Sequence, residues 1–212
     1  TFLLLAKAAD GSPEGFAPIE RLDDVVAAYA ALLADLRAAG AQWVQLDEPA
    51  LTSDTWSTPR AEVKAAVARA YGALASVGAQ DRPEILVAAS YGRLGCVVDE
   101  LLASGVEGIA LDLVKGEVPA ATTPDGVARD FSALALGGGV VDGHNVWRTD
   151  LDRAAQKLAA LRALGGASTG VVTSTSLFHV PHTVADEAGN PDLPADVASW
   201  LAFADEKVGE VL

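Results

Sequence analysis

The chain has one cysteine, Cys96, so no internal disulfide can staple it, which fits a reducing compartment. Basic side chains are scarce too: 15 Lys and Arg stand against 29 Asp and Glu, a formal charge of -14. Such a surface repels phosphate backbones and anionic lipid, so neither nucleic acid nor a membrane is expected as a partner. No apolar run approaches the roughly 20 residues that span a bilayer. Thr1 to Lys7 lacks the basic segment and cleavage site of a secretory signal. A soluble, cytoplasmic protein is the expectation. The 3 histidines lie late in the chain without HxxxH spacing, and no CxxC exists, so no metal site is expected. A phosphate loop is also missing, and Gly137-Gly-Gly139 lacks the strand-then-helix context of a dinucleotide fingerprint.

What the chain has is apolar residues, 50% of its 212, enough for one large core and one domain over 1–212. Short runs suited to buried parallel strands occur at Thr1–Ala6, Trp43–Leu46, Glu84–Ala89, Gly108–Leu113, Ala133–Val141 and Gly170–Ser174. Helical spacing fills the intervals. Ile19–Ala39 puts Leu22, Val25, Val26, Tyr29, Leu32, Leu33 and Leu36 on one face, and Gly40 follows as a stop signal. Similar patterns cover Arg60–Val77, Leu94–Ala103 and Asp152–Leu164, with a weaker one at Pro124–Ser132 and a closing helix within Pro194–Leu212. Alternating strands and helices predict an α/β fold with a parallel sheet. The sheet is either open and doubly wound or part of a (β/α)8 TIM-type barrel. A barrel normally needs about 250 residues, so this chain would supply about six βα units with the first two strands missing.

In both architectures ligands sit beyond the carboxyl ends of the strands, where this sequence is polar. Asp47 and Glu48 close the second run and either cap the following helix, hold the turn into Pro49 or touch a ligand. Ser90 and Tyr91 follow the third. Asp112 lies in an otherwise apolar strand, where a carboxylate needs a partner or a ligand; Lys115 and Arg148 are the structural alternatives. In Asp142-Gly-His-Asn-Val-Trp-Arg148, Arg148 either clamps a carboxylate, with Asn145 beside it, or pairs with Asp142. Ser174, Thr175, Ser176 and His179 follow the last run. The His179 ring is read as structural, satisfying a carbonyl, and His144 and His182 as exposed loop residues. Cys96 is assigned to the core, and no serine has a glycine-elbow context. The rim candidates for substrate are Asp47, Glu48, Asp112, Asp142, Asn145, Arg148, Ser176 and His179, with none assigned as catalytic.

Three ordered motifs carry a family resemblance: Trp43-Val-Gln-Leu-Asp-Glu-Pro-Ala-Leu51, Val141-Asp-Gly-His-Asn-Val-Trp-Arg148 and Ser174-Thr-Ser-Leu-Phe-His-Val-Pro181. With Thr1–Lys7, Ser90–Leu94 and Gly108–Val114, the chain resembles the N-terminal domain of cobalamin-independent methionine synthase. The resemblance implies two face-to-face barrels, in which a zinc-bound homocysteine thiolate takes the methyl group of 5-methyltetrahydrofolate to form methionine. It also implies that zinc belongs to the C-terminal catalytic barrel of the same polypeptide, and that this chain corresponds to the metal-free partner. Positions matching the metal ligands of the catalytic half are Ala89 with Tyr91, Asp112 and Thr175, a set without His or Cys. Thr175 departs from a common Cys and His144 from the usual Arg, while Asp47 corresponds to a residue that holds the substrate amine. The residues that hold the folate tail are expected upstream of Thr1. The chain alone is therefore expected to be silent, supporting the catalytic barrel and the cleft between the two. The alternative is a stand-alone amino-acid-binding or regulatory module.

Overall fold

The computed structural model describes residues 2, 6–53, 58–78, 80–95 and 97–212. The strand expected at Thr1–Ala6 and the core position of Cys96 lie outside the described residues. The other runs form β1 (Trp43–Asp47), β2 (Glu84–Ala89), β3 (Gly108–Asp112), β4 (Ala135–Val141) and β5 (Ser168–Thr173). All pair in parallel, and the spatial order β1-β2-β3-β4-β5 follows the chain order. A doubly wound sheet reverses its strand order at a switch point. No reversal occurs among the described strands, and the sheet is not closed.

The helices are α1 (Leu22–Ala38), α2 (Arg60–Ser76), α3 (Val98–Ser104), α4 (Leu151–Arg162), α5 (Ala195–Ala198) and α6 (Ala204–Val211). The third expected helix starts later than its apolar pattern, at Val98. Pro124–Ser132 is not helical: Thr122 bridges Ala128 across a turn in which the Thr123 hydroxyl accepts from the Val127 N–H. The closing helix is split in two, because Trp147 and Leu201 form an antiparallel bridge that holds the chain extended between α5 and α6.

Laterally paired residues of a parallel sheet share a face, and the two faces differ. Val87, Ile109 and Leu136 lie in one row and Ala89, Leu111 and Gly138 in the next, and all but the glycine belong to the buried core. This face packs on helices so closely that a Cβ at Gly138 would meet Leu158 at 2.5 Å and Leu161 at 3.1 Å. Opposite it run Gln45–Leu86–Gly108 and Asp47–Ala88–Ala110–Gly137–Gly170, rows of small or polar side chains apart from Leu86. Toward β1 this face is open, with Trp43 46% exposed and Gln45 and Asp47 exposed. The helix over that edge is also thinly covered: α1 buries Leu22 and Leu33, while Tyr29 and Leu32 of its predicted apolar face stay exposed.

At the opposite end of the sheet an ion pair ties the strand entrances together. The Arg82 side chain, 3% exposed, makes a two-pronged contact with Glu107 at 2.8 and 3.0 Å and donates to the carbonyls of Ala75, Val77 and Pro83. Glu107 also accepts from the Ile85 N–H at 2.8 Å. Burial works to raise the Glu107 pKa, but the Arg82 and Ile85 hydrogen bonds and the Arg82 charge outweigh it and hold the group below its ordinary value.

Candidate functional site

The carboxyl ends of the strands carry the predicted polar residues, but the structure sorts them into separate groups. Asp47 is exposed on the open face and accepts from the Gln45 side chain at 2.7 Å. Glu48 neither caps the short helical turn at Pro49–Thr52 nor shares the direction of Asp47; it accepts a hydrogen bond from Tyr71 of α2. Burial first, and the Glu48 carboxylate second, push the Tyr71 phenol well above its ordinary pKa. Of the alternatives the sequence leaves open for Glu48, the structure removes the cap of this turn and supplies a contact with Tyr71.

Asp112 is 2% exposed and pairs with neither Lys115 nor Arg148 through their charges. Its Oδ1 accepts from the backbone N–H groups of Val114 at 2.8 Å and Lys115 at 2.9 Å, which closes the turn after β3. Its Oδ2 is buried without a hydrogen-bond partner among the described residues, as is the Thr175 hydroxyl beyond β5. The backbones of β4 and β5 approach closely nearby: a Cβ on Gly139 would lie 2.5 Å from the Leu111 carbonyl oxygen and 2.9 Å from the Ser174 Cα.

The expected Asp142–Arg148 pair does not form. Asp142 Oδ1 accepts from the His144 N–H at 2.8 Å and Oδ2 from the Asn145 side-chain amide at 2.5 Å, while Asn145 accepts from the Trp147 N–H. Short polar side chains bond their own turn readily, so one backbone N–H and the neighbouring Asn145 amide take the Asp142 oxygens. Arg148 is exposed, and its N–H donates to the Trp200 carbonyl at 2.8 Å. The C-terminal segment anchors this turn further: the Ala202 N–H donates to the Val146 carbonyl, and buried Lys207 of α6 to the Trp147 carbonyl. Burial lowers the Lys207 pKa, against the pull of Glu210 and Asp142.

His179 does not serve a carbonyl. Its Nε2 lies 2.7 Å from the Tyr91 hydroxyl, and its ring stacks on His144 with centroids 4.6 Å apart and planes 7° apart. Tyr91 meets both imidazoles edge-on and has a backbone φ of 74°, a left-handed conformation unusual for a tyrosine. His144 is exposed as expected, yet it belongs to this cluster. The three rings join loops after β2, β4 and β5. Ser176 is a cap, accepting from the Phe178 N–H at 3.2 Å, and does not join them. Arg153 and Lys157, four residues apart on α4, line a cavity with Arg148 that the sequence did not single out.

The matched positions Ala89, Tyr91, Asp112 and Thr175 do not fit zinc, which takes thiolate, imidazole and carboxylate ligands in a tetrahedral set. They offer a methyl group, a phenol engaged with His179, one carboxylate and a hydroxyl. Among the described residues no group of three or more His, Cys, Asp and Glu is placed to hold a metal ion.

A sheet wound in one direction, with a helix-covered face and polar strand ends converging on one rim, defines an α/β protein of the kind that assembles ligand sites from strand-end loops. Residues 1–165 match the family model described as cobalamin-independent synthase, N-terminal domain, and the chain belongs to that family. It is 47% identical over 213 residues to a 5-methyltetrahydropteroyltriglutamate–homocysteine methyltransferase of Rhodococcus jostii (strain RHA1), and 45% identical over 214 residues to that of Streptomyces avermitilis. Both alignments cover 100% of this chain and 26% of the relative, so the chain spans about a quarter of these proteins' length. A crystal structure titled as a putative vitamin-B12-independent methionine synthase from Listeria monocytogenes has the same fold over 73% of this chain and 48% of its own. The TM-score is 0.55 at 16% identity.

Proposed function

We propose that the chain is the later part of a metal-free N-terminal (β/α)8 barrel, a single domain over 1–212, in a cytoplasmic cobalamin-independent methionine synthase. The whole enzyme would move the methyl group of 5-methyltetrahydrofolate to homocysteine. The chain would support a zinc-bearing C-terminal barrel of the same polypeptide and one wall of the cleft between the two. The observation that carries this reading is the asymmetric sheet: helices cover one face, while the face bearing Trp43, Gln45 and Asp47 is open. A barrel wall needs such a face, because the side chains of facing strands fill it when the barrel closes.

In this role Asp47, Asp112, Asp142, Asn145, Arg148 and His179 form or support the rim, while Glu48 and Ser176 hold local structure. Without a donor set suited to zinc, no thiol activation is assigned to these residues, and the chain alone is silent. The test is a chimera in which this chain replaces the matching quarter of the Rhodococcus jostii enzyme. It should restore growth of a methionine auxotroph without methionine, whereas the chain by itself should not. A chimera that is folded and soluble yet fails, or growth on the chain alone, would overturn the reading.

A further inference from the structure

We propose that residues 200–211 form a strap that opens on one side: it parts from the turn after β4 while staying hinged on the segment after β5. Opening releases the rim turn that carries His144, Asn145 and Arg148. The closed strap touches both loops. On the β4 side the Arg148 N–H donates to the Trp200 carbonyl at 2.8 Å and the Ala202 N–H to the Val146 carbonyl at 2.9 Å. The Lys207 side chain donates to the Trp147 carbonyl at 3.0 Å, and the Thr149 N–H to Glu210 Oε1 at 3.1 Å. On the β5 side the Ala204 and Asp205 N–H groups donate to the carbonyls of Pro181 and His182 at 3.0 and 2.9 Å. The Glu206 carboxylate accepts there from the Thr183 hydroxyl at 2.7 Å and the Val184 N–H at 3.1 Å.

The two sides differ in how well their polar groups are satisfied. The first N–H groups of a helix have no partner within it, so the bonds from Ala204 and Asp205 fill a need that α6 has in any case. Glu206 also accepts from the Phe203 N–H at 3.0 Å. Burial works to raise the Glu206 pKa, but its hydrogen bonds from Thr183, Val184 and Phe203 outweigh it and hold the group below its ordinary value. The β4 side instead buries groups that water would serve better. Lys207 is 0% exposed, and burial lowers its pKa against the pull of Glu210 and Asp142. Glu210 Oε2 and the Thr149 hydroxyl are buried without a hydrogen-bond partner among the described residues. Each buried polar group left unpaired costs its desolvation. Opening the β4 side returns all three to water, whereas opening the β5 side breaks a satisfied set. Burial of Leu201, Ala202 and Phe203 holds the strap closed until then. The strap requires neither zinc nor a second barrel, so it stands apart from the methyl-transfer reading.

Native-state hydrogen exchange of the 212-residue chain, followed by nuclear magnetic resonance, tests it. The amides of Arg148, Thr149 and Ala202 should be protected about tenfold less, or weaker still, than those of Val184, Ala204 and Asp205. Their exchange should change little with low urea, because a local opening exposes little surface. Thr149→Val keeps the side chain's shape and removes the unpaired hydroxyl, so it should raise the protection of the Arg148 and Ala202 amides by about fivefold or more. The far-ultraviolet circular dichroism should stay unchanged. Equal protection on the two sides, or better protection on the β4 side, would overturn the proposal. So would a folded Thr149→Val chain in which the Arg148 and Ala202 amides are unchanged or less protected.

Discussion

Glu107→Gln should be the sharpest test of how the sheet is held at its strand entrances. The substitution keeps the side chain's shape but removes the charge that faces Arg82, whose side chain is 3% exposed. Breaking one partner of a buried pair costs about 3–5 kcal/mol. Here the value falls near the lower end, about 3 kcal/mol, because Glu107 is 27% exposed and Arg82 keeps the carbonyls of Ala75, Val77 and Pro83. With a urea slope of about 3 kcal/mol/M, the unfolding midpoint should fall by about 1 M at pH 7. The direction with pH follows from the lowered Glu107 pKa. Its contribution is present above the ordinary value of 4.5 and is lost as the pH falls through the lower folded-state value. The gap between the parent and the variant should therefore close in acid. A midpoint shift below about 0.3 M, or a gap that widens in acid, would refute the reasoning.

Gly139→Ala should destabilise by about 1–3 kcal/mol, since the new methyl group meets the Leu111 carbonyl and the Ser174 backbone, which yield less readily than side-chain ends; urea unfolding measures it. Leu161→Ala, at a fully buried position of α4, should cost about 2–5 kcal/mol in the same assay, and a loss under 1 would contradict its core placement. Tyr91→Phe should change the ring-nitrogen resonances of His179 by removing its 2.7 Å partner, while lowering stability by no more than about 1.5 kcal/mol. Unchanged His179 resonances would show that the contact does not form in solution.

The described strands were legible because each is an apolar run bounded by turn residues, whereas their chain-order pairing was not, since strand and helix alternation fits a doubly wound sheet as well as a barrel. Long-range contacts set the remainder. The closing helix breaks because the backbone around Leu201 bonds to Val146 and Arg148, a partnership that no local period encodes. Pro124–Ser132 turns back at Gly126, whose φ of 82° suits a turn and opposes a helix. Asp47 and Asp112 were placed at the strand ends as the apolar pattern required, but their partners were not legible. Asp112 and Asp142 take nearby N–H groups in preference to the cations that charge alone would choose. The Tyr91–His179 contact joins residues 88 positions apart, so it emerges only when the ends of β2 and β5 are brought to one rim. The family motifs were more informative than the separate side chains, since they combine strand, turn and rim in one order.

The central claim is that this chain is a wall of a larger catalyst without the metal chemistry of its own. Its most direct test is methionine formation from 5-methyltetrahydropteroyltriglutamate and homocysteine by the purified 212-residue chain with added zinc, followed by mass spectrometry. The account predicts no methionine above the protein-free control. Sustained methionine production over many turnovers would contradict it.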